Sequence, residues 1–269
     1  MGNENIDIDH DEVMEKYRAY LEVSTDEELR IRTHHRIANL RLQKDEFILE
    51  GGDQSDEASA KVFELDAGRE SIADYEKLLA KYPDRNDNDL ESLFRLGEIY
   101  YANGVYDLAE SSYQRLIIRG SEGNKYYLNA MYLVGWSQFK QNRYDESLLS
   151  FTSVLDFEFP TEETITLASI GQQSMLKDIL RIMAITFDYQ GDWENIKQFY
   201  AGIGRRHYEH RIYETLASQY YNKKYYKSGA STLRAFINRY PQDVLSPVFY
   251  QRVVEGYTKA RYPTLLRKH

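Results

Sequence analysis

The chain has 269 residues, 42% of them hydrophobic, and a formal net charge of −9, which excludes wholesale disorder and leaves room for one elongated domain or two globular ones. Cysteine is absent, which removes disulfide frameworks, thiolate metal sites and cysteine nucleophiles. No apolar run approaches the roughly 18 residues a membrane span needs, and the N-terminus (MGNENIDIDHDEVMEKY) is acidic where a secretion signal is basic and then apolar.

The charge is distributed unevenly: net −12 over 1–90, −7 over 91–196 and +10 over 197–269. Drift in a protein with solvated faces produces such a gradient, and so does a basic end that docks an acidic partner or the acidic end of another copy. With 24 tyrosines and five prolines, the balance points to helices joined by aromatic packing.

Residues 1–9 read as a frayed end. From His10, Val13, Tyr17, Tyr20 and Leu21 fall on one helical stripe. Ser24 and Thr25 before Asp-Glu-Glu form a helix-start signal, and a long helix with Leu29, Ile37, Leu40 and Phe47 inward is predicted to follow. An insertion near 51–65 separates it from a partner helix ending at Tyr82-Pro83. Residues 1–87 are therefore atypical helical repeats.

Four clearer units occupy 88–241, at 88–120, 126–156, 173–204 and 210–242. The first carries Leu93, Leu96, Gly97, Tyr100, Gly104, Tyr106, Ala109 and Tyr113 on a helix-turn-helix frame, with Gly97 and Ala109 where the two helices approach closest. Val134, Gly135, Tyr144, Ser147 and Phe151 repeat that frame 38 residues later. Residues 156–172 break it as a loop or a short extra helix. The third unit places Met183, Ala184, Phe187, Gly191, Trp193, Ile196 and Tyr200 on the frame; the fourth places Leu216, Ala217, Tyr220, Tyr226 and Gly229, with Pro241 at its end. Residues 243–269 open a further first helix and then stop without a polar capping helix, as a truncated array would.

This frame resembles the tetratricopeptide repeat family, over 88–241 most exactly. The departures are Ser147 and Ile196 in place of the second-helix alanine, no tryptophan at the first anchor, and spacings of 38 and 49. The resemblance implies an all-α right-handed superhelix of about six helix pairs with a concave groove lined by first helices. In that groove it implies Phe94, Tyr101, Tyr132, Trp136, Phe139 and Tyr221 as apolar anchors for a peptide or protein segment, with Arg181 and Arg211 available to a carboxylate. The ends KYPD and RYPQD are also similar to repeats of bacterial envelope proteins, namely the outer-membrane assembly lipoprotein and the Tol-Pal-associated and gliding-motility repeat proteins. That implies a periplasmic location, with the cytoplasm as the alternative.

Enzymatic readings are weak. His207 and His210 lie three apart without a second ligand cluster, adjacent His34 and His35 point to different sides of a helix, and Gly202-Ile203-Gly204 lacks a preceding strand. Glu162-Glu163 is a candidate carboxylate pair with no third group at recognisable spacing. No cofactor, metal or enzymatic activity is expected. The acidic chain opposes nucleic-acid binding despite its basic end. The alternatives to a peptide scaffold are a self-associating spacer and a regulatory domain of a larger protein.

Overall fold

The structure, a computed structural model, describes residues 10–26, scattered positions between 29 and 40 and between 76 and 80, and 86–261 apart from 103 and 192; at 10–11, 86–89 and 102 it describes the backbone alone. The chain divides into two compact units, up to Arg143 and from Tyr144 onward. Among the described residues there are eleven helices and no strand. The first unit contains α1 (His10–Val23), α2 (Asn86–Ala102), α3 (Tyr106–Ile117) and α4 (Tyr127–Lys140). The second contains α5 (Tyr144–Glu158), α6 (Glu162–Thr166), α7 (Ile170–Gln190), α8 (Trp193–Ile203), α9 (Glu209–Asn222), α10 (Tyr226–Arg239) and α11 (Ser246–Lys259).

Near the N-terminus the expected stripe is shifted. Met14 is fully buried beside Ile37 and Leu40, with Val13, Tyr17 and Leu21 partly buried against them, whereas Tyr20 and Leu29 are exposed. The helix-start signal also moves: Asp26, not Ser24 or Thr25, accepts the Leu29 backbone N–H on its side chain (3.0 Å), because a carboxylate three residues before a free N–H satisfies it with charge assistance. Phe47, the insertion at 51–65 and Tyr82-Pro83 lie outside the described residues.

In the first unit α2, α3 and α4 close on a core of Leu93, Leu96, Ile99, Tyr100, Ala109, Tyr113, Leu116, Ala130 and Val134. The tightest point is Gly97. A Cβ there would stand 2.4 Å from Cε1 of the fully buried Tyr113 ring, so the second helix reaches its position only because the first has no side chain at that place.

The turn that follows α2 recurs in the backbone after α4 and α9, whereas α7 ends at Gly191 with φ 138°. After α2, Gly104 has φ 74° with Val105 N–H donating to Tyr100 O (2.9 Å) and Gly104 N–H to Tyr101 O (3.0 Å). After α4, Asn142 has φ 61°, with Arg143 N–H to Gln138 O and Asn142 N–H to Phe139 O; after α9, Lys224 has φ 63°, with Tyr225 N–H to Tyr220 O and Lys224 N–H to Tyr221 O. These are Schellman caps, with the left-handed residue that glycine occupies most cheaply. Only the first of the three carries glycine. Arg261, φ 59°, ends α11 in the same conformation.

The break at 156–172 resolves into α6 and the early start of α7. Thr161 and Thr164 form one capping box, and Ser169 and Gln172 form another. The third frame then packs as expected, with Met183, Ala184, Phe187, Ile196 and Tyr200 buried. In the α9–α10–α11 stack the wedge is Tyr221: a Cβ on Gly229 would lie 2.6 Å from its ring, and one on Gly256 would lie 2.7 Å from its hydroxyl and 2.9 Å from Ala230 Cβ.

Two stability changes follow. Lys224→Gly removes the left-handed penalty of roughly 1–2 kcal/mol but loosens the unfolded chain, so it should raise unfolding free energy by about 0.5–1 kcal/mol in denaturant titration. Gly97→Ala forces the buried Tyr113 ring to move and should cost about 1–3 kcal/mol, despite alanine's better helix propensity; a stability gain would contradict the close approach.

Candidate peptide-binding face

The sequence YLNAMYLVGWSQFK of α4 is apolar on more than one side. Ala130, Val134, Gly135, Ser137 and Gln138 are buried, which leaves Tyr132, Trp136 and Phe139, spaced four and three apart, as a second stripe of half-buried rings. Trp136 meets both neighbours edge to face, Tyr132 at 6.3 Å and 76° and Phe139 at 5.8 Å and 82° between ring centroids, the arrangement favoured by the ring quadrupole. Asn129 and Lys140 are exposed at the two ends of this row.

Both ends of α4 are tied down by residues that the periodicity did not single out. At the start, Asn124 donates to Leu116 O (3.3 Å) and Gly120 O (2.9 Å) and accepts the Tyr126 N–H (3.2 Å). This turn lays Tyr126 on Phe94, centroids 4.8 Å apart and nearly parallel. At the other end, the buried carboxylate of Glu110 on α3 accepts from Gln138 Nε2 (2.9 Å), Gln141 Nε2 (2.9 Å) and Arg143 Nη1 (2.5 Å), and from Gln114 on its own helix (3.0 Å). An acid directly after Ala109, on the inward side of a second helix, is the one local sign of this hub.

Phe94 is consequently not a groove residue. It is 6% exposed and packs in the core, 5.9 Å from the Tyr113 ring and covered by Tyr126; helical spacing alone did not reveal that the 120–126 turn folds back over it. Tyr101 is half-buried and stands edge-on to Tyr106 at 5.3 Å. The structure thus brings Tyr132, Trp136 and Phe139 together in the first unit and puts Phe94 beneath the surface.

In the second unit the expected cationic residues have acidic partners of their own. Arg181 is exposed and bonded to Asp178 one turn earlier, Nη2 at 2.5 Å and Nε at 3.2 Å. Arg211 is paired with Glu162, which also assigns a structural partner to half of the candidate carboxylate pair; Glu163 is exposed. Tyr221 is a wedge rather than a free anchor. Its hydroxyl donates to Arg252 O (3.0 Å), and burial pushes its pKa up to about 12 against the opposing charge of Arg252. Arg252 in turn bonds Glu214 (2.7 Å) and Ser218 (3.1 Å).

The histidine pair is held by backbone rather than arranged for a metal. His210 Nδ1 lies 2.9 Å from His207 O, and burial lowers its pKa. Among the described residues no group of three or more His, Asp or Glu is placed to hold a metal ion, and no helix is long and apolar enough to cross a membrane. His34 and His35 lie outside those residues.

Residues 91–119 match the family model described as a tetratricopeptide repeat. No curated protein matches the chain. Solved structures that resemble it include a tetratricopeptide repeat protein from Parabacteroides merdae, 11% identical, with 92% of each chain covered and a TM-score of 0.43. The C-terminal part of a repeat-containing protein from Cytophaga hutchinsonii is 15% identical over 87% of this chain and 89% of that one, with a TM-score of 0.42. The repeats of a putative kinesin light chain from Podospora anserina are 12% identical over 82% and 100%, with a TM-score of 0.45. The family match falls on the α2–α3 pair and its Gly104 turn, so residues 91–119 are similar to one tetratricopeptide repeat, and the same turn geometry returns after α4 and α9.

Proposed function

We propose that this chain is a non-enzymatic interaction scaffold that captures a peptide or protein segment on the ring-bearing face of α4. Tetratricopeptide repeats generally mediate protein–protein interaction, and the observation that supports this surface is the row Tyr132, Trp136 and Phe139 on a helix held at both ends. Clustered aromatic side chains are where interface energy concentrates, because each presents a large area with little rotamer freedom to lose. Tyr101 is a secondary contact. Arg181 and Arg211 already bond Asp178 and Glu162, so a ligand carboxylate would have to displace an existing partner, and the rings carry the affinity. A location in a bacterial envelope belongs to the same proposal, on the resemblance of the KYPD and RYPQD ends.

Peptides selected on the purified chain from a random display library provide the probe. Trp136→Ala and Phe139→Ala, each checked by circular dichroism for unchanged helicity, should weaken the selected peptides by about 2 kcal/mol or roughly thirtyfold, while Arg181→Ala changes their affinity less than about threefold. Equal binding by well-folded Trp136→Ala would exclude this face.

A further inference from the structure

Three of the helices that follow a turn begin with an aromatic residue and then an acid: Tyr106-Asp107 in α3, Tyr144-Asp145 in α5 and Trp193-Glu194 in α8. An anion in the first turn meets the partial positive charge of the free N–H groups there. α10 begins instead with Tyr226-Lys227, and its first turn holds no acid. A cation at that place opposes the helix it sits in. The structure gathers further cations around it. Lys223 and Lys224 fill the turn between α9 and α10, and Lys259, in the last turn of α11, has its Nζ 5.9 Å from the centroid of the Tyr226 ring. Lys223, Lys224, Lys227, Lys259 and the following Arg261 are all exposed. Cations at the ends of α9 and α11 suit those termini. Yet Lys224 and Arg261 hold φ of 63° and 59°, a conformation that glycine or asparagine adopts at less cost. Two left-handed positions and one helix start thus carry positive charge at the expense of local stability.

Few acids answer this corner. Asp188 stands 3.9 Å from Lys223 while also accepting the Tyr220 hydroxyl, and Glu255 lies one turn before Lys259. The other acids of residues 197–269, Glu209, Glu214 and Asp243, are paired with Arg239, Arg252 and Arg205, so much of that stretch's net +10 rests on the lysine corner. Tyr225 in the same turn is 60% exposed and adds a ring of the kind enriched at interfaces. The chain itself supplies a surface of opposite sign: residues 1–90 hold 24 acidic and 12 basic side chains, and Glu12, Glu15, Glu22 and Asp26 are exposed on and just after α1. We propose that the basic corner formed by the α9–α10 turn and the end of α11 docks the acidic residues 1–90 of a second copy of this chain. Such a contact joins unlike surfaces and each copy offers both, so copies add head to tail rather than stopping at a symmetric pair. Its attraction is electrostatic and is weakened by salt.

Sedimentation equilibrium of the full chain tests this. At about 20 mM salt the weight-average mass should rise with protein concentration, and at about 500 mM, where screening reaches within a few ångströms, it should return to that of the monomer. Lys227→Glu puts back the acid that α3, α5 and α8 carry, so folding is retained, and it should weaken association by about fivefold or more; Lys224→Glu with Lys227→Glu should weaken it by roughly twentyfold. Lys177→Glu makes the same change of charge at an exposed position of α7 and should alter association by less than about twofold. A chain that stays monomeric at low salt overturns the proposal, including one whose corner instead captures polyglutamate or anionic vesicles. Association that persists in the double variant, or that Lys177→Glu weakens as much as Lys227→Glu does, overturns it as well.

Discussion

Helix spacing in both units is set by aromatic rings pressed against backbone that has no side chain. At Gly97 and Tyr113 the glycine is on the first helix of a pair and the ring on the second. At Tyr221 the order is reversed: the ring stands on α9, while Gly229 and Gly256 come from α10 and α11. Each ring lies at less than a van der Waals separation from where a Cβ on the glycine would be. The contact therefore acts as a gauge: helices that carried alanine here would have to stand farther apart, and every residue beyond the contact would shift with them. Tyr221 gauges three helices at once, which is why a residue expected to face a ligand is spent on packing.

Once spacing is set, single carboxylates cross-tie elements distant in sequence. Glu110 gathers donors from the end of α4 and the turn beyond it. Asp156 at the end of α5 accepts from Arg206 Nε (2.8 and 3.0 Å) and from the buried Tyr208 hydroxyl (2.6 Å), residues some fifty positions later. That tie accounts for how the long spacing between the second and third units is tolerated. Through these bonds the loop before α9 is tied back to the end of α5. The same economy leaves few free cations on the first helices of the second unit, because Arg181, Arg211 and Arg252 each hold an acid of the chain itself.

The repeat frame was legible because it rests on residue types with few other reasons to recur. Small residues at the helix crossing and aromatics at fixed offsets reappeared as buried Leu96, Ala109, Tyr113, Val134, Phe151, Ile196 and Tyr200. What escaped the sequence had a common cause. The left-handed turns at Asn142 and Lys224 carry no glycine, so only asparagine's tolerance of that conformation marks the first and no residue type marks the second. Phe94 sits on the side of α2 that periodicity assigned to the groove, and only the path of the 120–126 turn buries it. Ion pairs such as Arg211 with Glu162 or Arg206 with Asp156 link residues about fifty apart, and a one-dimensional pattern holds no information on which charges meet.

For the α4 face this division of labour has a direct energetic meaning. The rings of Tyr132, Trp136 and Phe139 belong to a helix whose first turn is fixed by Asn124 and the Tyr126–Phe94 stack and whose last turn is fixed by Glu110 and the Asn142 cap. Its backbone has little freedom left to lose. A segment that binds such a surface bears the ordering cost on its own side only, which for a flexible interface would be shared and would take a fraction of the contact energy from both partners. The residues that hold these rings in place are thus the buried ones behind them, and a change at Glu110 would loosen the rings without touching any of them.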